Sequence, residues 1–232
     1  MVFRRRAKKQ DDAIDPVAGG IEEALDAPMP ESPSGVGPWD AGEVPDDDIM
    51  RVDLGGLQIP ALPEVEVRLE TDPAGAVAAV ILVTGASTLQ LGAFAAPRRE
   101  GIWDEVRAEL LESLRADGGT GDERDGPFGT ELAAAVPGPE GRQSARFVGV
   151  NGPRWFLRGV FTGPAATDPV QAAVLETALR EVVVVRGDDP LPVRDPLPLV
   201  LPQEVLEQHH EAVAGEGAPG MPERGPEITE TR

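Results

Sequence analysis

Cysteine and tyrosine are both absent from this 232-residue chain, and histidine occurs only as the adjacent pair His209-His210. Without cysteine there can be no disulfide framework, thiolate metal site or thiol nucleophile. The histidine pair lies in a polar C-terminal stretch, so histidine chemistry is excluded from the apolar middle of the chain. Two neighbouring histidines there lack the closed geometry of a specific metal site, and neither metal nor cofactor is expected. Long hydrophobic runs are missing too. The longest, residues 74–86, is broken by glycine and falls short of the roughly 20 apolar residues that cross a bilayer. Near the start Phe3 is followed by Arg4, Arg5, Arg6, Lys8 and Lys9, but Asp11 and Asp12 stand where a signal peptide carries its apolar stretch. A cytoplasmic location is expected.

What is present is acid. The formal net charge is −20, which argues against nucleic acid as a specific partner because phosphates are repelled unless a local basic patch outweighs the field. Residues 10–48 combine acid, proline, glycine and serine with isolated hydrophobes. Such a stretch buries too little apolar area to offset roughly 1–2 kcal/mol per residue of backbone ordering. Residues 1–48 are therefore read as a disordered basic tip and acidic linker, 49–202 as a single folded domain, and 203–232 as a disordered acidic tail. Trp39 is the exception, a large ring expected to dock on the domain.

Within the domain, Val52, Leu54, Leu57 and Ile59 bracket Gly55-Gly56 as a small hairpin would. Residues 65–70 alternate with period two, and residues 77–84 and 88–94 form an antiparallel pair around Gly85. Ile102, Trp103, Val106, Leu110 and Leu114 recur at helical steps, with Gly118-Gly119 as the stop. Residues 118–130 read as a charged loop. Three further strands follow over 130–136, 145–150 and 155–161, the last two joined at Asn151-Gly152. Asp168-Pro169 opens a second helix carrying Val170, Ala173, Val174 and Ala178, which runs into a strand at Val182. Alternating Pro and Leu or Val over 190–202 predicts an extended segment wrapped across the domain. The expected fold is α+β: a mostly antiparallel sheet of about six to seven strands, with two main helices packed on one face.

No phosphate loop, dinucleotide fingerprint or nucleophile elbow occurs. Asp104, Glu105, Glu109 and Glu112 follow the solvated face of a helix. The most distinctive segment is Gly152-Pro153-Arg154-Trp155-Phe156-Leu157-Arg158-Gly159. Strand parity would put Arg154 and Arg158 on one face and Trp155 and Leu157 on the other, so the arginines could recognise an anion or a partner's carboxylate, with Arg146 and Arg186 joining the patch. The plainer reading pairs them with acids of the same chain. Arg4, Arg5, Arg6, Lys8 and Lys9 could in turn touch an anionic membrane surface weakly.

With Gly37-Pro38-Trp39-Asp40, Asp53-Leu54-Gly55-Gly56-Leu57 and Val184-Val185-Arg186-Gly187 followed by Leu197-Pro198-Leu199, that segment resembles an actinobacterial family carrying a domain of unknown function. The resemblance implies no activity and no catalytic residue. Three functional readings follow: a non-enzymatic adaptor that captures a protein partner, a binding protein or hydrolase recognising an anion through arginines, and a membrane- or nucleic-acid-associated factor acting through the basic tip.

Overall fold

Residues 36–71, 76–138 and 141–202 are described by the computed structural model. In chain order they form β1 (Trp39–Asp40), β2 (Arg51–Asp53), β3 (Leu57–Pro60), β4 (Glu66–Thr71), β5 (Val77–Thr84), β6 (Ser87–Ala95) and α1 (Trp103–Ala116). Then come β7 (Thr120–Gly126), β8 (Gly129–Gly138), β9 (Gly141–Gly152), β10 (Trp155–Thr162), a 3₁₀ turn (Gly163–Ala166), α2 (Pro169–Arg180) and β11 (Val183–Val184). The expectations placed on Arg4, Arg5, Arg6, Lys8, Lys9, His209-His210 and the C-terminal tail lie outside the described residues.

Period-two patterning builds the main sheet. In β6, Ser87, Leu89, Leu91, Ala93 and Ala95 are buried while the intervening residues are less so, and their neighbours follow in antiparallel order β4-β5-β6-β10-β9-β8-β7. A smaller sheet, β1-β11-β3-β2, contains the expected Gly55 hairpin and one parallel pair, β1 with β11. Trp39 does dock: its main-chain N–H donates to Val182 O at 2.9 Å and its indole nitrogen is buried. The small sheet thus takes in β1, which precedes residue 49.

The α+β class, the antiparallel sheet and the two helices are as expected, but the helices take opposite faces of the sheet rather than one. Trp155, Phe156 and Leu157 are consecutive and all buried, so β10 is apolar on both sides. Trp155, Leu157 and Phe161 pack with Leu175 and Leu179 of α2 and with Leu57 and Ile59 of the small sheet. Phe156, on the other face, stacks on Trp103 of α1 at 5.9 Å, and Leu132 packs with Leu114. Burying both faces at once is the normal way for such a strand to remove its apolar area from water.

Local chemistry fixes each helix end. The start of α1 has no side-chain cap of its own. Asn151 Oδ1 instead accepts the amides of Ile102 and Trp103 at 3.0 and 3.3 Å, satisfying N–H groups the helix leaves open. Asn151-Gly152 is therefore not the turn. The turn between β9 and β10 is Pro153-Arg154, with Gly152 paired to Trp155. Gly118, at φ 78°, closes the helix. For α2, Asp168 Oδ1 accepts from Val170 N at 2.9 Å, as the sequence predicts. Its buried face is Ala172, Leu175, Glu176, Ala178 and Leu179, and Val170 is exposed.

Residues 120–126, expected as loop, are strand β7. This strand lies at the sheet's edge and is polar on both faces, so it carries no apolar alternation to read. The proline-rich segment is extended as expected. It bonds to the end of β6 through Leu197 N–Ala93 O and Arg194 N–Ala95 O, and to the small hairpin through Gly56 N–Pro198 O. Among the described residues no helix is long and apolar enough to cross a membrane.

Candidate functional site

The four arginines picked from the sequence do not form one patch. Arg154 occupies the β9–β10 turn at φ 65°, so strand parity with Arg158 does not apply to it. Arg186 reaches it only through the main chain, donating from Nε to Arg154 O at 3.2 Å and from Nη1 to Asp189 O at 3.0 Å. Arg158 pairs with Gly149 in the sheet and faces α1, whereas Arg146 pairs with Phe161 and faces α2. Arg146 and Arg158 are thus separated by the thickness of the sheet.

Arg146 anchors the more elaborate of the two environments. Its Nη2 donates to Glu176 Oε1 at 2.7 Å, Nη1 lies 3.5 Å from Glu131 Oε2, and the guanidinium is 4.1 Å from the centroid of the Phe161 ring. Glu131 is almost wholly buried, accepting from Phe128 N at 3.3 Å. Burial pushes its carboxyl above the ordinary range, against the pull of Arg146. The two glutamates were not singled out from the sequence, although an acid at position 176, four residues after Ala172 and three before Leu179 on the buried stripe, is a readable anomaly.

This cluster forms one wall of a hollow of about 280 Å³ between the β7–β8 turn and the start of α2, bordered by Arg124, Asp125 and Asp168. A second hollow of about 190 Å³ is also lined by Arg124, Ala133 and Thr167, and has Asp122 on its rim and Ala135 and Ser144 on its floor. Both lie on the half of the sheet that α2 leaves open. Asp122, Asp125, Glu131, Asp168 and Glu176 face Arg124 and Arg146 across them, an excess of carboxylate over guanidinium. The floor is made of small side chains, which lets a ligand approach the strands closely.

On the α1 side a smaller hollow, about 140 Å³, is lined by Phe94, Ile102, Val106, Glu109, Phe156, Arg158 and Arg194. Arg194 is engaged there by Glu105 and Glu109 at 2.9 Å. No group of three or more His, Cys, Asp or Glu among the described residues is placed to hold a metal ion.

Residues 37–208 match the family described as "Protein of unknown function (DUF3710)". The chain belongs to this family. The DUF3710 match begins just before β1 and ends beyond the proline-rich segment, so it takes in both sheets and both helices and agrees with the resemblance to a domain of unknown function. No curated protein matches the sequence. The chain is similar to the solution structure of cyanobacterial PsbP (CyanoP) from Synechocystis sp. PCC 6803, with 12% identity and a TM-score of 0.35 over 59% of this chain and 92% of that one. An overlap of that size carries no functional argument for the DUF3710 chain.

Proposed function

We propose that the domain is a binding module, not a catalyst, and that it takes a basic segment of a protein partner into the hollows on the β7–β9 half of the sheet. The observation that carries this reading is the charge of that surface: five carboxylates, of Asp122, Asp125, Glu131, Asp168 and Glu176, against the guanidiniums of Arg124 and Arg146. Arg146 is itself held by Glu131 and Glu176. Lysine or arginine side chains of a partner would find open carboxylates at the rim, while Ala133, Ala135 and Ser144 leave room for its backbone. The net charge of −20 adds long-range attraction and speeds encounter. A cytoplasmic location, expected from the sequence, belongs to the same reading.

An acidic protein attracts any cation, so the test separates the hollow from the bulk field. Ala133→Arg places a long cation on the floor, and Ser113→Arg makes the same charge change on the exposed side of α1. Titrating a Lys/Arg-rich peptide against each, the Ala133→Arg chain should bind about tenfold or more weakly than the Ser113→Arg chain, corresponding to loss of roughly 1.4 kcal/mol. Equal weakening in both would mean that only net charge matters, and would overturn the proposal.

A further inference from the structure

Arg158 differs from Arg51, Arg107 and Arg146 in its lack of a counter-charge. Arg51, Arg107 and Arg146 each hold two carboxylates, in a chain with 41 acids to 21 Lys and Arg. Among the described residues Arg158 has no ion pair, and its buried Nε, like that of Arg146, has no hydrogen-bond partner. Its guanidinium lies 5.3 Å from the centroid of the Phe94 ring. Its partner across the β6–β10 pair is Gly92, where a Cβ would come within 3.1 Å of the Phe94 ring, so the missing side chain makes room for the ring on which the guanidinium rests. Burial alone pulls its pKa below the ordinary arginine value. A cation withdrawn from water without a counter-charge is costly, and the ring face offsets only part of that cost.

The adjoining hollow suits a particular kind of counter-charge. Phe94, Phe156, Ile102 and Val106 give it apolar walls. At roughly 30 Å³ per water-sized group, its 140 Å³ admits about five non-hydrogen atoms. Arg194 at the rim is already matched by Glu105 and Glu109, and Glu109 beside the opening disfavours a ligand with more than one negative charge. A guanidinium matches the planar fork of a carboxylate in two parallel hydrogen bonds.

We propose that this pocket is a site for a small organic acid, a short-chain carboxylate whose oxygens pair with Arg158 and whose carbon body rests on Phe94, Phe156, Ile102 and Val106. It lies on the opposite face of the sheet from the acidic hollows and does not depend on the reading given to them.

The full chain titrated with isobutyrate, isobutyramide and inorganic phosphate, followed by amide NMR shifts, tests this directly. Isobutyrate should shift Gly92, Phe94 and Arg158, while the amide and phosphate should bind at least about tenfold more weakly. Arg158→Gln should weaken isobutyrate by a similar factor and should leave the melting temperature of the free chain unchanged or raised, since an unmatched cation has gone. Val106→Phe, which fills the pocket and keeps Arg158, should also abolish binding and keeps the question open to measurement if the Gln variant fails to fold. Absence of saturable isobutyrate shifts, equal binding of acid and amide, or undiminished binding in either variant would overturn the proposal. So would a lower melting temperature of Arg158→Gln with isobutyrate affinity retained, which assigns Arg158 a packing role on Phe94.

Discussion

The indole N–H of Trp155 donates to Asp40 Oδ2 at 2.8 Å, tying the first strand of the small sheet to a core residue of the large one. Trp155 is buried, so removing the acceptor would strand a polar group away from water. Asp40→Ala should cost about 1–3 kcal/mol, whereas Asp40→Asn, which keeps an acceptor oxygen, should cost less. Urea unfolding of the two variants checks this, and equal losses would mean that the bond is not what the position contributes.

Among the described residues Arg146 is the ion-pair partner of both Glu176 and Glu131, and all three side chains are at most 14% exposed. Arg146→Met should therefore destabilise the fold by about 3–5 kcal/mol, because two carboxylates would be left without their cation. Adding Glu131→Gln and Glu176→Gln to the same chain should restore most of that loss. Denaturant midpoints of the single and triple variants decide the matter, and a triple variant no better than the single would contradict it.

Burial raises the pKa of Glu131 in the folded chain, so the folded state holds this proton more firmly than the unfolded state does. Its contribution to stability is present below the ordinary glutamate value and is lost as pH rises through the raised folded value. Glu131→Gln should thus gain stability relative to the parent as pH climbs through that window. Paired urea titrations from pH 4 to pH 7 measure the difference, and a difference independent of pH would contradict the assignment.

Much of the fold could be read directly from the sequence, because period-two and helical patterns mark β4, β5, β6, α1, β8 and β10 without tertiary information. Three features could not. The sides taken by the helices depend on β10 being apolar on both faces, and Trp155-Phe156-Leu157 shows that only when the triplet is read as one strand rather than as alternation with the arginines. Strand β7 carries no large apolar side chain because it is an edge strand, mostly exposed, that meets α1 through Gly121 and the Arg107–Glu123 pair, and its sequence is that of a loop. Asn151 looks like a turn residue but caps α1, a long-range role that no local pattern reveals. The candidate sites were hidden for related reasons. Parity failed at Arg154 because the turn comes there, and the acids that surround Arg146 come from β8 and α2, thirty positions from α2's Glu176 to β9's Arg146.

The most direct measurement of the central claim is an amide shift map of the full chain with a saturating Lys/Arg-rich peptide. Changes concentrated at Ala133, Ser144, Thr167 and neighbouring amides of β7–β9, and absent with an acidic peptide of equal length, are the expected result. Changes spread evenly over exposed acids, or gathered on the α1 face with β7–β9 silent, would contradict the account.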